Sequence, residues 1–117
     1  MIVHESVLTA AQTRVLRAVG SLARRAGFYL AGGTAVALRF GHRRSEDFDW
    51  FAPVLPRPDV LLSDLQAQGL PLQDTQIEAG TIISRIEGVK ISFFEYRYPL
   101  LGSLDSWSEY DTDIASL

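Results

Sequence analysis

The chain has 117 residues, a net charge of −3 and an isoelectric point near 5.2. This length suits one domain, residues 1–117, and is too short for two. The absence of cysteine excludes disulfides, thiolate metal sites and cysteine nucleophiles, and the acidic balance argues against a general polyanion binder. No apolar run reaches the length of a membrane span, and the N-terminus lacks the features of a signal peptide. We therefore expect a cytoplasmic protein with no membrane partner.

The first third of the chain predicts a helix, a strand and a second helix. Apolar residues at three- and four-residue steps predict an amphipathic helix from Ser6 to Ala26, with Ser6 or Thr9 as its cap and Gly27 at its end. Phe28 to Ala31 is a short apolar run that ends at two glycines, which predicts a buried strand and a tight turn. The pattern from Thr34 to Phe40 is helical.

The sequence pattern of the remaining two thirds of the chain predicts several strands and one more helix. Asp47 to Phe51 alternates acidic and aromatic residues with the period of a strand. After three prolines, a short helix is expected from Asp59 to Gln68. Three strands joined by glycine-containing turns should follow, at Leu72–Glu78, Thr81–Glu87 and Val89–Tyr96. The last segment, Leu104–Leu117, predicts a loop and the start of a helix at Asp113. This order predicts an α/β (α+β) domain, with a mixed sheet and flanking helices.

The turn after the first strand has the residues of a phosphate site. Gly32 and Gly33 let the backbone approach a ligand closely. The helix start that follows offers free N–H groups, and Thr34 adds a hydroxyl. Taken alone, two glycines after a strand more often form only a turn.

The Asp-x-Asp pair has the spacing of a metal site. Alternation along a strand places the carboxylates of Asp47 and Asp49 on one face. Mg²⁺ or Mn²⁺ suits such a pair, because Mg²⁺ usually binds one or two carboxylates together with substrate phosphates. The simpler interpretation of an isolated pair is a solvated strand face.

The link between these two motifs is basic. Arg43 and Arg44 can clamp a triphosphate or an acceptor RNA, or they can form a solvated loop. We expect Ser45 to orient the start of the Asp47 strand, since no general base accompanies it as a nucleophile would require.

Together these motifs resemble the signature of the AbiEii/AbiGii toxin family, part of the polymerase-β-like nucleotidyltransferase superfamily. That signature has Gly-Gly-Thr, a short helix, and Ser-x-Asp-x-Asp on a strand. The matching residues are Gly32, Gly33, Thr34, Ser45, Asp47 and Asp49. The segment from Val89 to Tyr96 is also similar to the family's later core strand. The resemblance implies a nucleotidyltransferase-like core, with catalytic, metal-binding carboxylates at Asp47 and Asp49. The nucleotide-binding residues would be Gly32, Gly33, Thr34, Arg43, Arg44 and Ser45.

The chain departs from the family pattern in two ways. The superfamily usually carries a third carboxylate on the later strand, where this chain has Ser92. Glu95 is the nearest acid and the candidate third acid, but it is three residues from Ser92 and should face the other way unless a bulge or the strand end redirects it. Family members also continue into a basic helical region beyond Asp113–Ala115, so the resemblance implies a core that lacks its usual C-terminal helical part.

Three functions remain open at the level of sequence. The resemblance implies metal-dependent transfer of a nucleoside monophosphate from an NTP to an acceptor hydroxyl. The acceptor would be tRNA or another RNA, and the partner an antitoxin or a second copy of the chain. The alternative is a degenerate or truncated nucleotidyltransferase-like binding module without turnover, and a third is a metal-dependent phosphohydrolase. Because a third acid and the helical part are missing, we expect the chain alone to be a weak or silent catalyst.

Overall fold

The structure is a computed structural model that describes residues 8–32, 47–97, 104–107, 110 and 112–115. Within these residues the chain forms two helices and seven strands. In chain order they are α1 (Ala10–Arg25), β1 (Tyr29–Ala31), β2 (Asp47–Ala52), α2 (Pro58–Ala67), β3 (Gln73–Glu78), β4 (Thr81–Ile86), β5 (Val89–Glu95), β6 (Leu104–Trp107) and β7 (Thr112–Ala115). The predicted helix from Thr34 to Phe40 lies outside the described residues.

The seven strands form one mixed sheet in the order β3-β4-β5-β2-β1-β7-β6. β2 is parallel to β5 and β1 is parallel to β7, whereas every other neighbouring pair is antiparallel. The order places β2, which carries the two aspartates, at the centre of the sheet. The predicted fold class, an α+β domain with a mixed sheet, is confirmed.

Helix α1 begins four residues later than Ser6 because a capping box sets its start. The Thr9 hydroxyl accepts a hydrogen bond from the Gln12 N–H at 3.1 Å, and the Gln12 side chain accepts one from the Thr9 N–H at 2.8 Å. Thr9 itself has extended backbone angles, so the helix does not continue before it. Gly27 ends the turn after the helix with a φ of +91°, as the sequence predicted.

The core lies between the two helices and one face of the sheet. Val15, Leu16 and Val19 of α1 and Leu61 and Leu65 of α2 are buried in the same cluster as the inward residues of the strands. Along β2, alternate residues belong to this core; they are Phe48, Trp50 and Ala52. The other three residues of β2 face away from the helices, which leaves the aspartates on the opposite face.

The C-terminal prediction of a loop and a helix at Asp113 is wrong. The segment forms the antiparallel pair β6–β7, and β7 lies beside β1 with Ile114 opposite Leu30. Ile114 is fully buried in the core, and the rings of Trp107 and Tyr110 pack with their centroids 4.2 Å apart. A four-residue strand carries too little periodicity to be recognised locally, and the burial of Ile114 depends on a partner strand far away in sequence. In the part of the chain that the structure describes, no helix has the length and apolar character to span a membrane.

Candidate active site on the aspartate face of the sheet

Asp47 and Asp49 lie side by side on the sheet face that carries no described helix. Both are half-buried, while Phe48 between them is fully buried in the core. The alternation predicted from the sequence is therefore confirmed. We call this surface of β1, β2, β4 and β5 the aspartate face.

The residues that flank Asp49 across the sheet are small. Ala31 of β1 is its partner on one side and Ser92 of β5 on the other. Residues in register on neighbouring strands lie about 5 Å apart and point to the same face. Asp49 therefore has no bulky neighbour in register on either side.

Gly32 brings backbone directly against Asp49. It follows β1 with a φ of +67°, and a Cβ atom placed on it would lie 2.5 Å from the Asp49 Oδ2 atom. Only a residue without a side chain allows this approach. Gly32 thus lies beside Asp49, and its phosphate-binding role stays a prediction. Gly33, Thr34, Arg43, Arg44 and Ser45 lie outside the described residues, and their phosphate-binding and orienting roles stay predictions.

The electrostatics of the pair favour a bound cation. Burial raises the pKa of the Asp49 carboxyl, the neighbouring charge of Asp47 raises it further, and the ammonium group of Lys90 partly opposes both effects. An ionised carboxylate pair in such surroundings is held at an energetic cost, which an added positive charge reduces.

The donors present fit a divalent cation that is shared with a substrate. Two same-face carboxylates, with the Gly32 backbone close beside Asp49, match the way Mg²⁺ binds through one or two carboxylates and phosphate oxygens. The hydroxyl of Ser92, beside Asp49, is buried and has no hydrogen-bond partner among the described residues. These residues contain no cluster of three or more His, Cys, Asp or Glu side chains, so the carboxylate pair is the donor set that this part of the chain offers.

Glu95 does not lie beside the aspartate pair. Its register partner is Ala52, a residue of the helix-covered face. One carboxylate oxygen accepts the Leu55 N–H at 3.1 Å, and the other lies 2.9 Å from the Arg97 guanidinium. These two contacts lower the pKa of Glu95. The geometry thus gives Glu95 a structural role at the end of β5 and does not support it as a third acid.

Lys90 is the residue of this face that the sequence motifs did not single out. It is the only lysine of the chain, and it lies in register with Asp47. The signal that could have found it is its spacing: Lys90 and Ser92 are two residues apart on a predicted strand and so share a face. The sequence pattern alone did not predict that this strand pairs with β2.

The aromatic residues near the pair divide between the two faces. Trp50 and Phe93 are fully buried on the helix side. Phe51 lies on the aspartate face, with ring centroids 5.6 Å from Phe94 and 6.0 Å from Tyr29. This cluster covers the part of the face next to the carboxylates with apolar surface.

A separate groove of about 370 Å³ lies on the helix side of the sheet. It is lined by Leu22, Arg25, Ala26, Asp64, Ala67 and Gln68. Since it opens away from the aspartate face, it has no part in the candidate site.

No protein-family model matches the chain. It is 43% identical over 91 residues to an uncharacterized protein of Aquifex aeolicus (strain VF5), aq_aa25; the match covers 77% of this chain and 44% of that protein. The fold is similar to the crystal structure of a "putative nucleotidyltransferase" from H. pylori, with a TM-score of 0.63, 18% identity, and coverage of 94% of this chain and 56% of that one. The chain therefore spans about half the length of each. At this identity the structural likeness establishes the fold, and activity is a matter for proposal.

Proposed function

We propose that this chain is the core of a metal-dependent nucleotidyltransferase, which moves a nucleoside monophosphate from an NTP to an acceptor hydroxyl. The observation that carries the proposal is the carboxylate pair of Asp47 and Asp49 on one face of the sheet, with the Gly32 backbone against Asp49. The fold similarity to the H. pylori "putative nucleotidyltransferase" supports the same reaction class. An NTP is accordingly the proposed substrate.

In this reaction the acceptor oxygen bonds to the α-phosphorus, the bond from that phosphorus to the pyrophosphate oxygen breaks, and the hydroxyl proton leaves to solvent or a base. Asp47 and Asp49 would hold Mg²⁺ or Mn²⁺, which neutralises charge on the phosphates and orients them. Because Gly32 has no side chain, its backbone can lie against Asp49 without displacing the carboxylate. The main contribution of the protein is positioning, since phosphoryl transfer needs little covalent participation from side chains.

The acceptor and the biological role are proposed from the sequence motif. The resemblance to AbiEii/AbiGii toxins favours tRNA or another RNA as the acceptor, and an antitoxin or a second copy of the chain as the partner. Arg43 and Arg44 are the proposed contacts to triphosphate or RNA. With a net charge of −3, the chain would have to contact RNA through such a local basic segment.

A binding module without turnover is the second candidate, and Ser92 is the observation that favours it. In register with Asp49, Ser92 stands where the superfamily usually has its third carboxylate. A site with one acid fewer can keep nucleotide and metal affinity while its rate of transfer falls.

The test is transfer of label from α-³²P NTPs to total RNA in the presence of Mg²⁺ or Mn²⁺. We expect Asp47→Asn and Asp49→Asn each to lower the rate by about 100-fold or more, the scale of losing one electrostatic contact to the transition state. Asp64→Asn is the matched control, because it removes the same charge from an exposed position on α2.

Three results would decide between the candidates. Equal transfer by wild type and both aspartate variants would contradict the proposed site. Nucleotide and Mn²⁺ binding without transfer would identify the binding module. Release of inorganic phosphate without labelled RNA would identify a phosphohydrolase.

A further inference from the structure

Lys90 and Ser92 lie beside the two aspartates, at positions where an acidic residue would add negative charge to the site. Both lie on β5, in register with Asp47 and Asp49 respectively. Their register places a cationic side chain next to one carboxylate and a neutral hydroxyl next to the other. The β5 side of the site therefore contributes positive charge and no acid.

The charge balance of these residues limits how many divalent cations they can hold. On β2 and β5, two carboxylates and one ammonium give a formal charge of −1, and the Arg85 guanidinium on the neighbouring strand β4 brings the sum to zero. One divalent cation makes the sum positive and leaves a site that attracts phosphate. A second would enter a region that is already positive, and among the described residues no third carboxylate is grouped with the pair to hold it.

The Ser92 hydroxyl gives a second, independent observation. It is 1% exposed and has no hydrogen-bond partner among the described residues, although buried hydroxyls are normally paired. Its position beside Asp49 indicates that the missing partner is a ligand or a metal-bound water in this site. A hydroxyl can pair with such a group but cannot replace the charge of an acid.

We propose that the site binds one divalent cation, and that the Lys90 ammonium binds a triphosphate oxygen beside it where a second cation would otherwise lie. This inference rests on the proposed function, because it requires an NTP on the aspartate face. Lys90 is suited to the role as a compact charge on a flexible stem. Arg85 of β4, in register with Lys90, extends the positive charge along the same face.

The first test counts ions. Protein saturated with an NTP analogue that carries a methylene bridge between the α- and β-phosphates is titrated with Mn²⁺, and bound Mn²⁺ is measured by electron paramagnetic resonance against the analogue alone. We expect one ion per chain for the wild type and for Ser92→Ala. Ser92→Asp should bind two, because it supplies the absent carboxylate. Two ions on the wild type would overturn the proposal.

The second test measures affinity for the same analogue at saturating Mn²⁺. Lys90→Ala should weaken binding by about 10- to 100-fold, the range for a lost hydrogen bond to a charged group, and Lys90→Arg should retain most of it. Arg57→Ala is the control, since it removes one positive charge from an exposed residue at the start of α2. Equal affinities of Lys90→Ala and Arg57→Ala would overturn the proposal.

Two further experimental results distinguish a failure of this inference from a failure of the proposed function. Mn²⁺ affinity without nucleotide should be unchanged or increased in Lys90→Ala, because a positive charge is removed beside the carboxylates; a loss would mean that Lys90 only supports the fold. If the wild type binds neither Mn²⁺ nor the analogue, both the inference and the proposed function fail. If it binds both and Lys90→Ala has no effect, only the inference fails.

Discussion

Gly32 and Asp49 show at the scale of single residues how backbone conformation serves the candidate site. The φ of +67° at Gly32 suits glycine, and the missing side chain leaves the Asp49 carboxylate in place. Both properties are needed, because a Cβ atom would strain the backbone and would also occupy the position of the carboxylate. The two effects can be measured separately, since strain acts on stability and displacement acts on ligand binding.

We predict that Gly32→Ala lowers the free energy of unfolding by about 1–2 kcal/mol through backbone strain. It should also weaken Mn²⁺ binding by about tenfold or more, because the Asp49 carboxylate has to turn away. Gly69→Ala is the matched control: its φ is +79°, and its Cβ would meet open space. Urea denaturation and Mn²⁺ titration measure the two quantities. If both variants bind Mn²⁺ equally, the approach of Gly32 to Asp49 has no part in the site.

At the scale of elements, the contact between α1 and β7 depends on a glycine inside the helix. Gly20 is buried in the middle of α1, and a Cβ on it would overlap the Thr112 side chain and lie 2.9 Å from the Tyr110 carbonyl oxygen. Thr112 is itself held by a hydrogen bond from its hydroxyl to that same oxygen at 2.9 Å. At Gly20 the helix therefore lies closer to β7 than it could if this residue had a side chain.

Two opposing effects decide the outcome of Gly20→Ala. Helix propensity favours alanine over glycine by about 1 kcal/mol, whereas overpacking a filled core costs about 1–3 kcal/mol. Because one of the two close atoms belongs to the backbone, we expect overpacking to dominate and the variant to lose stability in urea denaturation. In a Thr112→Ala background the loss should be smaller by about 1 kcal/mol, as expected for residues in contact. A more stable Gly20→Ala variant would contradict this packing.

At the scale of the whole molecule, the C-terminal segment completes the sheet and the core. β7 pairs with β1, and β6 pairs with β7 beyond it. Ile114 places its side chain in the same buried cluster as Leu30 and Phe48. The last part of the chain is therefore integral to the domain.

We predict that Ile114→Ala lowers the free energy of unfolding by about 2–5 kcal/mol, the usual cost of truncating a fully buried isoleucine. Leu104→Ala, in the neighbouring strand, should change it by only about 0.5 kcal/mol, because Leu104 is 43% exposed. Chemical denaturation followed through tryptophan fluorescence measures both. A small effect at Ile114 would mean that this segment is a loop, as its local pattern first indicated.

Local patterns in the sequence determined several elements and the central pair of carboxylates. The capping residues of α1 and the alternation along β2 depend on neighbours within a few positions. The turns after Glu78 and Ile86 likewise follow from local glycine positions, so periodicity and turn chemistry were sufficient to predict them.

Only the tertiary structure decided which strands meet. The parallel pairing of β2 with β5 sets Lys90 and Ser92 beside the aspartates, and β7 becomes a strand because β1 is its partner. Glu95 is held away by Leu55 and Arg97, contacts that no spacing in its own strand reveals. Pairing between distant segments is selected by burial and hydrogen bonding over the whole sheet. The aspartate pair could therefore be predicted from the sequence, whereas its neighbours across the sheet could not.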